Sequence, residues 1–180
     1  MEVDHLVVAG ETLEEAAVHT EQALGSVLQP GGRHLTFGTH NRLMGLGHGQ
    51  YLEAISIDPS LPAPGFPRWF GLDGFEGPAR LDKWVCRGTD MEAALAALPM
   101  AGRPIELQRD ALRWTMAVPE TGLLPFAGVF PALIQWHGAT MPGMTLTSQG
   151  FSLEKLDVLH PEADVLETLL APFLDAPKVR

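Results

Sequence analysis

Arg33, His34, His40 and Asn41 crowd one short stretch of this 180-residue chain, and their side chains are of the kind that hold polar or anionic groups. A guanidinium presents a planar fork of donors, and a carboxamide offers both a donor and an acceptor. The spacing of His34 and His40 matches no recognised chelate pattern, so solvated loop histidines are the competing reading. Trp69, Phe70, Trp114 and Trp136 could wall a ligand, although burial in a core accounts for them equally well. A covalent nucleophile is not in view: there is no GxSxG turn, and the single cysteine, Cys86, falls in an apolar run where an inert thiol is expected. Gly45-Leu46-Gly47-His48-Gly49 is rich in glycine but joins two strand-like runs instead of opening a helix, so it lacks the geometry of an anion cradle.

The elements that must carry these residues follow from apolar periodicity. Leu6 to Ala9 reads as a buried strand ending at Gly10. Thr12 can cap a helix with Glu14 and Glu15 in its first turn, apolar positions at Leu13, Ala16, Ala17 and Leu24, and a stop at Gly25. Pro30-Gly31-Gly32 reads as a turn before strands at Arg33 to Phe37, Asn41 to Leu46 and Gln50 to Ile57, the last two joined by a compact hairpin. Asp58 to Pro78, dense in proline and glycine around Phe66, Trp69, Phe70 and Phe75, reads as a linker with aromatic pegs. A second series then begins: a strand from Leu81 to Arg87, a helix from Met91 to Leu98 capped by Thr89 or Asp90, and strands at Ile105 to Gln108, Ala111 to Val118 and Phe130 to Trp136. A strand from Phe151 to Leu159 and a helix from Ala163 to Leu174 follow as a packing appendage.

Both series run β-α-β-β-β, and side by side they share a register. Asp4-His5-Leu6-Val7-Val8 lies against Asp82-Lys83-Trp84-Val85-Cys86, and Tyr51-Leu52-Glu53-Ala54-Ile55 against Leu133-Ile134-Gln135-Trp136-His137. The expected fold is therefore α+β, two βαβββ modules forming one curved mixed sheet with a C-terminal strand-helix unit. The expected boundaries are a first module over 1–58, a linker over 59–78, a second module over 79–140 and the appendage over 141–180.

A hydrophobic fraction of 46% is ample for a core, and a net charge of −10 opposes contact with nucleic acid or anionic lipid. No apolar run approaches the roughly 18 residues that a membrane span needs. The start, Met1-Glu2-Val3-Asp4-His5, has neither a basic stretch nor an apolar run, and one cysteine permits no internal disulfide. The expectation is a cytoplasmic protein whose partner is a small molecule.

The chain also resembles the glyoxalase-like proteins of the vicinal-oxygen-chelate superfamily. The stretches that carry the likeness are Asp4-His5-Leu6-Val7-Val8, Gly31-Gly32-Arg33-His34, Gly38-Thr39-His40-Asn41, Tyr51-Leu52-Glu53, Arg68-Trp69-Phe70-Gly71-Leu72 and Gly122-Leu123-Leu124-Pro125-Phe126. The resemblance implies a cup formed by the paired modules with a ligand inside, in many members beside one divalent metal held by the first and last strands of each module. Carried onto this chain, it implies His5 and Glu53 as ligands to Zn, Ni, Fe or Mn, with Glu53 as ligand or catalytic base. The second module departs from the pattern, with Lys83 and Gln135 at the corresponding places. Gln135 is then a weak third ligand or an orienting donor, and His137 another source of a ligand. Lys83, if it faces the cup, would instead pair with Glu53 and repel a metal. Arg33, His34, His40, Asn41, Trp69, Lys83, Trp136 and His137 are the expected contacts to substrate.

Two functions remain in view. One is a metal-dependent lyase, isomerase or dioxygenase acting on a small oxygenated metabolite, with the metal as Lewis acid. The other is a metal-free binding or sequestering protein, a role for which some superfamily members assemble as homodimers. A cup filled by its own side chains is a third outcome.

Overall fold

A computed structural model describes residues 1–138 and 140–180; Ala139, inside the expected second module, lies outside the described residues. The first series gives β1 (Glu2–Ala9), α1 (Leu13–Leu24), β2 (Gln29–His34), β3 (Thr39–Gly45) and β4 (Tyr51–Ile57). The second gives β5 (Arg80–Arg87), α2 (Met91–Ala97), β6 (Arg103–Arg109), β7 (Leu112–Val118) and β8 (Ala132–His137), followed by α3 (Pro142–Thr145) and α4 (Ala163–Leu170). All eight strands join one mixed sheet in the order β2-β3-β4-β1-β5-β8-β7-β6. That order reads the same from either end, so an approximate two-fold axis between antiparallel β1 and β5 relates the modules. The sheet curls until its edge strands β2 and β6 approach each other.

Outside the irregularities of β1 and β2, alternation sorts the side chains to the two faces. In the first module Val8, Met44, Leu52 and Ala54 point outward and pack against Ala16 and Ala17 of α1. The Thr12 side chain accepts from the Glu15 amide at 3.2 Å while the Glu15 carboxylate accepts from the Thr12 amide, and Gly25 closes the helix with φ 66°. These contacts satisfy backbone groups that a helix end leaves unpaired. Inward residues alternate with the outward ones and build the cup.

Two expectations about elements change. Pro30, Gly31 and Gly32 lie inside β2 and not in a turn, because a register shift between Pro30 and Arg33 absorbs the irregularity; the turn falls after His34. The stretch from Phe151 to Leu159 forms no strand beyond a single bridge between Leu156 and Val179, and the final helix ends at Leu170. The tail still docks: Leu153, Leu156, Leu166 and Leu170 are buried in the larger core, and Leu170 lines the same groove as Trp84.

The linker is anchored from both sides. Arg68 pairs with Asp73 and donates from Nε to the Phe37 carbonyl, and the Gly71 amide donates to the Gly122 carbonyl at 2.9 Å. A Cβ on Gly122 would stand 2.0 Å from the Arg68 carbonyl oxygen, so only glycine permits this approach. Arg68-Trp69-Phe70-Gly71 and Gly122 thus form one structural unit, with Phe70 held at φ 60° and its ring against the cup.

Candidate functional site

The cup is open at its mouth and leaves a narrow cavity of about 30 Å³ between its side chains. Its polar side comes from the first module. A register shift between Val3 and His5 breaks the alternation of β1, so adjacent residues Asp4 and His5 both serve the site. His5 is 4% exposed, its ring stacks on Tyr51 at 4.4 Å, its Nδ1 lies 2.6 Å from Asp4 Oδ1 and its Nε2 lies 3.6 Å from Glu53 Oε2. The other Glu53 oxygen accepts from Asn41 Nδ2, and Asn41 Oδ1 accepts from the Gly32 amide at 2.7 Å. Asp4, fully buried, also accepts from the Trp136 indole at 3.0 Å and lies 3.4 Å from the Arg87 guanidinium.

The charges are set by these contacts. Burial alone would lower the His5 pKa, but the Asp4 and Glu53 carboxylates overcome it and raise the imidazole to about 9. Burial would raise Glu53, but the hydrogen bond and charge of His5 push it down to about 2. The pair is thus His5 cation and Glu53 anion at neutral pH. His34 is the opposite case: burial dominates and lowers it to about 4, so this ring is neutral. Its Nε2 lies 3.0 Å from Arg109 Nη1, and since a guanidinium only donates, that nitrogen accepts and the ring proton sits on Nδ1, facing Thr39 Oγ1 at 3.0 Å. Burial and the nearby carboxylates raise Tyr51 well above the usual phenol value, keeping it neutral.

The other side of the cup is apolar: Trp114, Met116, Ile134 and Trp136 from β7 and β8, with Trp69 and Phe70 from the linker. Strand register shows how the halves correspond. Parallel pairing sets His5 beside Tyr51 in the first module and Val85 beside Ala132 in the second. Two residues further along β4 and β8 stand Glu53 and Ile134, paired in turn with Leu43 and Met116. The topological counterparts of His5, Glu53 and Asn41 are therefore Val85, Ile134 and Trp114. His34 and Arg109 also correspond, and they meet at the seam between β2 and β6.

Five expected site residues stand elsewhere. Lys83 pairs across the sheet with Val7, not with His5, and its Nζ lies 2.5 Å from Asp82 Oδ2, so it makes no pair with Glu53. Gln135 is on the outer face, where it accepts from the Met91 amide at 2.8 Å and donates to the Thr89 carbonyl; it anchors α2 and faces no metal site. His137 shares that face and meets Thr115 Oγ1 at 2.7 Å. The register expected for these residues was displaced by two residues on β5, which moves Lys83 along the strand away from His5, and by one on β8, which exchanges one face for the other. Arg33 and His40 pair across β2 and β3 and turn away from the cup toward Asp58, with Arg33 Nε 3.0 Å from Asp58 Oδ2. His40 Nε2 also meets Ser56 Oγ at 3.0 Å, but Ser56 is fully buried and donates to the Ile57 carbonyl, so this serine is no nucleophile. His5, Glu53, His34, Asn41, Trp69 and Trp136 do line the cavity.

Sequence reasoning missed Asp4, Tyr51 and Arg109. Asp4 was hidden by the β1 irregularity, since alternation assigns neighbours to opposite faces. Arg109 sat beside a hairpin turn with nothing local to mark it; the paired glycines opposite were its signal. A Cβ on Gly32 would stand 2.7 Å from Arg109 Cδ, and one on Gly31 would stand 2.1 Å from Asn41 Oδ1.

His5 and Glu53 converge, but a centre fed by both modules does not fit these residues. The counterparts Val85 and Ile134 have no donor atom, and among the described residues no group of three His, Cys, Asp or Glu side chains is placed to hold a metal ion.

Comparison with known proteins places this geometry in a wider setting. The glyoxalase-like domain family matches over residues 3–174. A structure described as a hypothetical protein from Staphylococcus aureus is 18% identical, with a TM-score of 0.63, covering 94% of this chain and 74% of that one. At such identity the likeness speaks for the fold alone. A methylmalonyl-CoA epimerase from Mycobacterium tuberculosis is 18% identical over 77% of this chain and 88% of that one, with a TM-score of 0.48. One from Streptomyces coelicolor is 14% identical over 77% and 97%, with a TM-score of 0.47. No curated protein matches.

Proposed function

The chain belongs to the glyoxalase-like domain family, and we propose that this protein uses the family's cup to bind a small oxygenated molecule without a metal centre. The observation that carries the reading is the division of the cup: the second-module counterparts of His5 and Glu53 are Val85 and Ile134. The polar half supplies a preformed His5-Glu53 ion pair held by Asp4 and Asn41. The apolar half supplies Trp114, Trp136 and Phe70 for the body of the ligand, in the manner of small-molecule sites that set few polar groups in an aromatic wall. His34, Asn41, Trp69 and Trp136 are the contacts this reading keeps.

Binding is favoured over proton transfer by the same electrostatics. A base works best with a pKa near the operating pH, whereas Glu53 is held near 2 and His5 near 9. Glu53 is therefore assigned an orienting role in place of the catalytic one. The test is a thermal-shift screen of small oxygenated and aromatic molecules on protein dialysed against chelator. Saturable stabilisation that is unchanged by added Zn, Ni, Fe or Mn is the expected result. Ligand binding that appears only when one of those metals is restored would overturn the reading.

A further inference from the structure

Arg109 stands apart from the other arginines. Arg33, Arg42, Arg68, Arg80 and Arg87 each face a carboxylate, and Arg103, Arg113 and Arg180 are exposed. Arg109 is partly buried at the cup, and among the described residues no carboxylate lies within salt-bridge distance of it. Among the described residues its one hydrogen-bond partner is the neutral ring of His34, which engages Nη1 and leaves the rest of the planar fork without a protein acceptor there. The carboxylates of the cup are already committed, Glu53 to His5 and Asn41, and Asp4 to His5, Trp136 and Arg87. A second donor waits in the same cavity wall: the indole nitrogen of Trp69 is buried and has no acceptor among the described residues. A buried donor without a partner costs about 1–3 kcal/mol, so the Trp69 indole calls for an acceptor from outside the chain, while the half-buried Arg109 keeps its remaining donors open toward the mouth of the cup.

We infer that the cup is built for a small monocarboxylate with a flat apolar body, its carboxylate on Arg109 and its body against Trp114 and Trp136. This rests on the metal-free binding reading and names the class of ligand. Arg109 matches a carboxylate in plane and in charge, since two parallel N–H donors meet two oxygens. The tryptophan rings lie 5.5 Å apart and tilted by 45°, on the apolar half of the cup that Arg109 borders. The absence of a side chain at Gly32 lets the guanidinium lie along β2, where a Cβ at that position would displace it. One net negative charge is the fit: a second would fall near Glu53 or Asp4.

The experiment is calorimetric titration of the intact protein with benzoate, phenylacetate and indole-3-acetate, each beside its neutral amide, in chelator-treated buffer. At least one acid is expected to bind tenfold or more tightly than its amide. Arg109→Gln should reduce that ratio to near one while leaving amide binding in place. Arg109→Lys, which keeps the charge but loses the fork, should retain part of the preference. Circular dichroism and unfolding midpoints confirm that each variant is folded. Equal binding of acid and amide, or no binding by any acid, would overturn the inference while leaving metal-free binding of another ligand class intact. Acid binding that requires added metal would instead overturn the reading beneath it.

Discussion

At the scale of single residues, the site is governed by two opposite charges that would each be costly if buried alone. Removing one partner of such a pair leaves the other uncompensated, so Glu53→Gln should destabilise the fold by roughly 3–5 kcal/mol near neutral pH in urea unfolding. The pH dependence follows from the same groups. His5 is raised from 6.5 to about 9, so its contribution is full below 6.5 and is lost as pH rises to about 9. Glu53 is lowered from 4.5 to about 2, so its contribution is present above 4.5 and is lost as pH falls to about 2. His34, lowered from 6.5 to about 4, penalises folding as pH drops through that interval, because the unfolded chain takes up the proton first. Stability should therefore peak near pH 6.5 and fall on both sides, and Glu53→Gln should weaken the acid limb below 4.5. A curve that keeps rising from pH 7 to 9 would contradict the assigned charge on His5.

At the scale of elements, the local irregularities decide which side chains meet. The shift in β1 brings Asp4 to the back of His5, and the two glycines of β2 let Asn41 and Arg109 come close to its backbone. Gly31→Ala would force its Cβ within 2.1 Å of Asn41 Oδ1 and 2.5 Å of the Asn41 carbonyl oxygen. It should cost about 1–3 kcal/mol by denaturant titration, as overpacking does. Thr12→Ala, which removes the cap of α1, should cost about 1 kcal/mol without changing ligand binding. The same irregularities explain what could be read in advance. The order of strands and helices, the cap at Thr12 and the stop at Gly25 follow from short-range patterns and were legible, whereas the pairing of His5 with Glu53 came from the family resemblance. The faces of Gln135 and His137 were not, because a register displaced by one residue reverses every side chain on a strand; Lys83 was misplaced by two residues along β5, and Arg33 and His40 follow the irregularity in β2. Arg109 was beyond reach for another reason: it meets His34 only when the sheet curls and its edges converge.

At the scale of the whole molecule, a repeated module has been divided into unlike halves. The two-fold arrangement would allow a centre drawn equally from both modules, and the second has Val85, Ile134 and Trp114 where the first has His5, Glu53 and Asn41. The C-terminal segment adds a further layer over Trp84, and Leu170→Ala, at 4% exposure, should cost roughly 2–5 kcal/mol while leaving the cup unaltered. Restoring a donor on the apolar half tests the correspondence of the modules. Ile134→Glu should give a variant whose unfolding midpoint rises with added Zn or Ni, under conditions in which the parent protein shows no such rise. The most direct test of the metal-free cup is elemental analysis by inductively coupled plasma mass spectrometry, on tag-free protein purified without chelator and then equilibrated with Zn, Ni, Fe or Mn and desalted. The account predicts metal well below one equivalent per chain, unchanged by Glu53→Gln. One tightly held metal per chain that the Glu53→Gln variant loses would contradict it.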